Sequence, residues 1–224
     1  LLARAGVLPI ASFIVFYQVQ TDLNQYLALR GYTPPTLERA VPALIGHPLV
    51  CFCLYAFILD GADYWRHRLS HRFRRWYYLH AVHHAQRQLT FWSDDRNHVL
   101  DDLITALWFG AIALLMGVPP LQFPLLGMAL RFIESLSHAN ANLSYGWLGE
   151  RLIVSPRFHR FHHSPEAGGR RSCNYAAVFP FWDMLFRTAH FSEPYRPTGD
   201  AFAPEAMATG SWFAQQSAGF RLLF

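Results

Sequence analysis

The run LITALWFGAIALLMGVPPLQFPLLGMAL, residues 103–130, decides the fold. It carries no charge, and it is interrupted at Gly117-Val118-Pro119-Pro120, where a turn replaces helix because proline removes a donor and clashes with the preceding turn. Two apolar arms joined by a short turn make a hairpin. Each arm needs about 20 residues to cross a bilayer, so both extend into charged sequence. Reading outward gives spans at 99–118 and 121–140, with Asp101, Asp102, Arg131, Glu134 and His138 on their inner ends. Ionisable groups at that depth face protein or water and not lipid.

Two further uncharged stretches give spans near 5–21 and 40–62. Across 224 residues, 52% are hydrophobic and only 15% charged, yet the mean hydropathy is +0.10. A chain buried wholly in lipid and a disordered chain are both excluded by that balance. The expected fold is all-α: one domain over 1–224, an integral-membrane bundle of about four transmembrane helices with a cytoplasmic histidine-rich cap at 63–98 and 141–200. Arginine sets the orientation. Arg66, Arg68, Arg72, Arg74, Arg75, Arg87 and Arg96 follow the second span and seven more lie between Arg151 and Arg196, whereas the outer loop has only Arg30 and Arg39. The positive-inside bias places both large polar segments in the cytoplasm. Tyr64, Trp65, Trp76, Tyr77 and Tyr78 fall where an interfacial aromatic belt is expected. No A-x-A-like cleavage site follows the N-terminal apolar run, which therefore reads as a retained helix.

The net charge of +4 and pI near 9.2 read as membrane orientation and not as a nucleic-acid footprint. All 19 basic residues are arginine, so lysine Schiff-base chemistry is excluded. Cys51, Cys53 and Cys173 are odd in number and form no C-x-x-C, so neither a disulfide framework nor a cysteine zinc site is expected.

Histidine carries the chemistry. Of the 12 in the chain, eight form three clusters: His67-Arg-Leu-Ser-His71, His80-Ala-Val-His83-His84 and His159-Arg-Phe-His162-His163. Residues at i, i+3 and i+4 share a helix face, so each cluster aims imidazoles at one point. Neutral imidazole suits iron, zinc or copper. Eight ligands exceed the three or four that one zinc takes, which argues for two ions. Neighbours such as His83 and His84 lie about 100° apart around a helix and can serve different ions. His98 and His138, at the inner ends of the hairpin, complete the set from the membrane side. Asp63, Asp102 and Glu134 each stand four residues from a histidine, His67, His98 and His138 respectively. A carboxylate one turn away orients the ring, binds metal itself or is plain interfacial charge. His47 and His190 read as structural or exposed.

The order H-x-x-x-H, H-x-x-H-H, H-x-x-H-H around a membrane hairpin resembles the fatty acid hydroxylase and sterol desaturase superfamily of integral-membrane histidine-box di-iron oxygenases. Asp63-Tyr64-Trp65, Arg96-Asn97-His98 as R-x-H, His138-Ala139-Asn140 as H-x-N, and Ser155-Pro156 before Arg157-Phe158-His159 support the likeness. So do Asn174-Tyr175 and Phe181 to Thr188, which are similar to N-Y-G and W-D-x-L-F-G-T; the resemblance runs from Asp63 to Thr188. Ala176 and Arg187 stand where the family usually has glycine, and Val99 where it often has proline. The resemblance implies that His67, His71, His80, His83, His84, His98, His138, His159, His162 and His163 hold two iron ions, with Asp63, Asp102, Glu134 and Asn140 supporting them. Zinc fits the same ligands.

The implied reaction is hydroxylation or desaturation of a lipid, a fatty acyl chain or a sterol, with O2 as co-substrate. Electrons would come from a separate protein, cytochrome b5-like or ferredoxin-like with its reductase. Trp108, Phe109, Phe123 and Phe132 are candidates to line a lipid channel, or they are ordinary bundle packing. The Arg66 to Arg75 cluster would bind anionic headgroups in preference to docking the donor. A bacterial inner membrane is favoured over the endoplasmic reticulum. The rival classes are a zinc-dependent membrane hydrolase, although H-E-x-x-H is absent, and a metal-binding or transport protein.

Overall fold

In a computed structural model, residues 7–119, 122–165, 172–191 and 195–224 are described, and all regular structure among them is helical. The helices are α1 (Val7–Leu29), α2 (Leu37–Ala40), α3 (Pro48–Arg72), α4 (Arg74–His84), α5 (Val99–Leu115), α6 (Gln122–Ser137), α7 (Gly146–Leu152), α8 (Pro156–His162), α9 (Phe181–Leu185), α10 (Glu205–Thr209) and α11 (Trp212–Arg221). The chain divides into two compact units, one of Leu1–Leu59 and Trp108–Ala129, the other of Asp60–Leu107 and Leu130–Phe224.

Among the described residues, α3 is the one helix long and apolar enough to cross a membrane. Its start is later than the expected 40–62 span, because Pro42 opens a single 3-10 turn and Gly46 takes a left-handed φ of 85° before Pro48. Proline suits a first helical position, where its missing N–H costs nothing. The helix then runs on to Arg72 and carries the first histidine box. Its outer turns expose Leu49, Val50 and Leu54, an apolar surface of the kind that lipid covers. The helices at the two expected hairpin arms are shorter than those spans: α5 has 17 residues and α6 has 16. Helix α5 stops at Leu115 because Gly117 (φ 63°) closes a Schellman cap, its N–H meeting Leu114 O at 3.3 Å and that of Val118 meeting Ala113 O at 3.0 Å. Residues 120 and 121, and residues 5 and 6 of the expected first span, lie outside the described residues.

In the first unit the turn after α5 is pinned from several sides. A Cβ on Gly117 would fall 2.7 Å from Pro35 O. The buried Tyr55 hydroxyl accepts from Leu37 N at 3.0 Å and donates to Gly117 O at 3.5 Å, while Gln20 Nε2 donates to Val118 O at 3.1 Å.

The second unit is organised by two buried aspartates. Asp60 accepts from Val178 N and Phe179 N, each at 2.9 Å. Asp183 accepts from Tyr175 N at 2.9 Å, Ala176 N at 2.8 Å and Thr188 Oγ1 at 2.6 Å. Together they tie the segment 175–179 to α3 and α9. Gly61 permits this, since a Cβ there would lie 2.5 Å from the Trp182 ring. Tyr64, Val154, Phe158, Tyr175 and Ala176 form one core cluster; Tyr77, Ala81, Val82, Ala85 and Met207 form another.

The two glycine departures have different costs. Ala176 is buried and outside the left-handed region, so it adds no backbone strain. Arg187 has φ 57° and occupies the Schellman position after α9, with its N–H on Met184 O at 3.3 Å and that of Thr188 on Asp183 O at 2.8 Å. A side chain there costs about 1–2 kcal/mol of backbone strain. Glycine relieves that strain and gives back about 0.4–1 kcal/mol through the unfolded chain. Arg187→Gly is therefore expected to stabilise by about 0.5–1 kcal/mol in thermal or chemical denaturation; destabilisation would contradict the strain.

Candidate metal centre

Helical spacing does most of the assembly. His67 and His71 share one face of the last turns of α3, and a break at Phe73 (φ −94°, ψ 115°) turns the chain into α4, which presents His80, His83 and His84. Ser155 caps α8 by accepting from Phe158 N at 3.1 Å, and Pro156 opens it. That short helix carries His159 and His162, with His163 as its C-cap. His138 lies just past the end of α6.

These histidines meet in two groups. His67, His71, His80, His84 and His162 form one, and His83, His138, His159 and His163 the other, with the ligand atoms of each group within 4.8 Å of one another. All nine are buried. Each adjacent pair is split: His83 and His84 go to different groups, as do His162 and His163, while the first histidine of each box joins its i+4 neighbour. The groups abut where the His84 and His163 rings stack, 4.4 Å between centroids.

The outer ring nitrogens fix several tautomers. His67 Nδ1 is 2.7 Å from Tyr175 O, His80 Nδ1 2.9 Å from Asp101 Oδ2, His138 Nδ1 2.8 Å from Glu134 O and His162 Nδ1 2.6 Å from Cys173 O. Each of those acceptors requires an N–H on Nδ1, which leaves a lone pair on Nε2 aimed inward. Inside, Nε2 atoms face Nε2 atoms: His138 to His83 at 3.2 Å, His159 to His138 at 3.0 Å, His162 to His84 at 3.1 Å and His163 to His159 at 3.2 Å. Two nitrogens bound side by side to one ion about 2.1 Å away lie about 3.0–3.4 Å apart, so this is the spacing of shared coordination. Among the described residues the buried Nε2 atoms of His67 and His80 have no hydrogen-bond partner, the orphaned donor atoms that a cation would satisfy. The residues present fit two N-ligated metal ions.

Burial and the neighbouring imidazoles hold the ring pKa values down. His83, His84, His159 and His163 lie well below the usual histidine value, with burial the first cause, and burial lowers His162 to about 3. The rings are thus neutral at neutral pH, the form that binds metal.

Not every expected residue arrives at the centre. His98 belongs to neither group: its Nε2 donates to Gln216 O at 3.0 Å and its Nδ1 accepts from Leu100 N at 3.1 Å, so both nitrogens are taken by backbone. Asp63 bonds Arg66 at 2.6 Å and not His67, which also removes the buried Arg66 from the exposed arginine cluster. Asp102 is exposed, and neither nitrogen of the His98 ring is bonded to it. Glu134 supports His138 through its backbone carbonyl, and its carboxylate does not. Asn140 Oδ1 accepts from Arg160 Nη1 at 3.1 Å and Tyr195 OH at 2.5 Å, so it steadies α8 without touching a ligand ring. Of the expected aromatic belt, Tyr64 and Tyr77 are buried in the two core clusters. Of the proposed channel aromatics, Trp108, Phe109 and Phe123 are half-buried and Phe132 is exposed, its ring 6.0 Å from that of Phe91.

Spacing gave no sign of Asp101 as a partner of the centre. It comes from α5 to a histidine of α4, and it also accepts from Trp76 Nε1 at 2.8 Å. The carbonyls of Tyr175 and Cys173 carry no side-chain signature at all.

The same boxes are what the family comparison matches. Residues 52–188, more than half of the chain, match the fatty acid hydroxylase family. This chain belongs to that family. Methylsterol monooxygenase 1-3 of Arabidopsis thaliana is 25% identical over 180 residues, 73% of this chain and 54% of that protein. Alkylglycerol monooxygenase of Homo sapiens is 30% identical over 139 residues, 58% of this chain and 28% of that protein. Methylsterol monooxygenase 1 of Rattus norvegicus is 30% identical over 137 residues, 59% of this chain and 44% of that protein. The chain spans about half or less of the length of these relatives. No solved structure matches it.

Two outcomes follow from this geometry. Imidazoles of the unfolded chain titrate near pH ~6.5, and in the folded metal-free chain burial holds His83, His84, His159, His162 and His163 lower, so below that pH the unfolded state binds more protons. Stability is therefore full above about pH 6.5 and falls as pH drops below it; a melting temperature that stays flat from about pH 7 to about pH 5 would contradict this. Asp101→Asn replaces the charged acceptor on His80 and should weaken metal affinity by about 10- to 100-fold in a chelator competition, with the fold retained by circular dichroism.

Proposed function

We propose that this protein is an integral-membrane non-haem di-iron oxygenase that hydroxylates or desaturates a lipid, a fatty acyl chain or a sterol, using O2 and electrons from a separate donor protein. The observation that carries the reading is the pair of buried all-imidazole groups sharing two adjacent-histidine pairs, in a chain of the fatty acid hydroxylase family. His67, His71, His80, His84 and His162 would hold one iron and His83, His138, His159 and His163 the other. Bound there, the irons would supply the O2-dependent redox chemistry that cleavage of an unactivated C–H bond needs and that no side chain has.

The chain's own residues do the rest. Asp101 and the carbonyls of Tyr175, Glu134 and Cys173 hold four rings at fixed orientation. Burial of all nine rings keeps bulk water from the centre, which protects a reactive site from side reactions. Four membrane-crossing segments, one per apolar stretch, are supported by the length of α3 and by the exposed Leu103 and Leu107 of α5 and Met128 and Phe132 of α6. The arginine bias supports a cytoplasmic metal side, in a bacterial inner membrane. The names of the relatives, methylsterol and alkylglycerol monooxygenases, support a lipid substrate and an external source of electrons.

A hydrolase reading lacks a base: the carboxylate seen to meet a ligand ring, that of Asp101, is committed to His80 and Trp76. A transport reading would place ligands along a path, whereas here they converge on two points.

Lipids of cells expressing the chain should gain species heavier by one oxygen atom or lighter by two hydrogen atoms. His83→Ala removes a ligand of the second group and should abolish the change. An unchanged lipid profile, with iron-loaded protein that consumes no O2 when given lipid and reductant, would overturn the reading.

A further inference from the structure

Three tyrosines sit in the two core clusters of the second unit, and they differ in what their hydroxyls meet. Tyr64 OH lies 2.9 Å from Thr188 Oγ1. Tyr175 packs against the first histidine group, 5.4 Å from the His71 ring and 5.8 Å from those of His67 and His162, and its hydroxyl donates to Ser172 O at 2.5 Å. Tyr77 packs against the same group, 5.3 Å from His71 and 6.2 Å from His84, and its hydroxyl donates to Asp200 Oδ2 at 2.6 Å. The Asp200 carboxylate is held in place by Phe202 N, which donates to Oδ1 at 2.8 Å, and the residue is half-buried, so it reaches water. Of these two tyrosines in contact with the candidate ligands, Tyr77 is the one seen to hydrogen-bond a group that can take a proton away. A backbone carbonyl accepts a hydrogen bond but is not a base under these conditions, whereas a carboxylate is both.

That difference matters because a centre able to oxidise C–H bonds can also oxidise the protein when no lipid is in place. The rings within contact are the first targets, and a site of this kind must exclude competing reactions. We infer that Tyr77 is a one-electron relay from the metal centre toward the surface, with Asp200 as its proton acceptor. The inference rests on the oxygenase reading above. In the step, the Tyr77 ring would give one electron to the centre that O2 has oxidised, its phenolic O–H bond would break, and the proton would bond to the Asp200 carboxylate. A neutral tyrosyl radical remains. A one-electron donor, the redox protein that turnover itself requires, returns the electron, and the proton moves back from Asp200. The net result is that an oxidising equivalent is spent on the external donor instead of on a histidine ligand. The fold places the relay where it acts without disturbing a ligand: Tyr77 lies one turn before His80 on α4 and packs with Ala81, Val82, Ala85 and Met207.

The test is freeze-quench electron paramagnetic resonance on the iron-loaded, reduced protein mixed with O2 in the absence of lipid. Wild-type protein should give a radical signal that narrows with ring-deuterated tyrosine, and Tyr175→Phe should keep it. Tyr77→Phe, which retains the ring packing on His71, should lose it. Asp200→Asn, which keeps a hydrogen-bond acceptor but no proton acceptor, should lose it as well. A tyrosyl signal that survives in Tyr77→Phe overturns the relay. So does the absence of any signal in wild-type protein that consumes O2 and forms lipid product. Failure of the loaded wild-type protein to consume O2 with lipid and reductant would instead overturn the oxygenase reading, and the relay with it.

Discussion

Nine imidazoles buried together are costly unless something pairs with their inward nitrogens. Four of the rings have Nδ1 fixed by a carbonyl or carboxylate, so their lone pairs point at one another across the cluster. Such an arrangement is poor for a protein alone and good for one that binds cations. The rest of the second unit is arranged to keep those rings where they are. Asp60 and Asp183 hold the segment that supplies the Tyr175 carbonyl, and Asn174, with φ 58°, ties that segment to α8 through Phe158 O at 3.0 Å.

Much of this was legible in the sequence because helical spacing is a strong constraint. The boxes, the turn at Gly117 that ends the helix of the uncharged run, the all-helical class and the division of adjacent histidines between two groups all follow from periods of three and four residues and from proline and glycine positions. What escaped is what depends on packing between elements distant in sequence. His98 has the right residue type at the right motif position, yet the C-terminal helix α11 reaches it first: Gln216 takes its Nε2 proton, and Gly219 lets the helix approach so closely that a Cβ would lie 2.7 Å from the ring. Val99 belongs to the same contact. Its N–H donates to Gln216 Oε1 at 2.8 Å, a bond that proline at that position could not make.

The carboxylates show the same limit. An offset of four residues placed Asp63, Asp102 and Glu134 beside histidines on their own helices, but side chains on one helix compete with partners on others. Asp63 found Arg66, and His80 found Asp101 from a different helix. Helix ends also depart from hydropathy where a cap intervenes: the Schellman turn at Gly117 ends α5 earlier than hydropathy alone suggests, and Gly46 with Pro48 delays α3. Hydropathy reports where lipid is tolerated, whereas backbone hydrogen bonding decides where a helix stops.

The split of His83 from His84, and of His162 from His163, has a thermodynamic consequence. Neighbouring residues on one helical turn cannot be ordered independently, so a cation that draws His84 and His162 into place also fixes the backbone that carries His83 and His163. If each group takes an ion, the ordering entropy is shared between the two, and the second meets a site already formed. Loading of two such ions would then be cooperative, the second bound more tightly than the first. The same linkage would run in reverse: stripping one ion would loosen its neighbour.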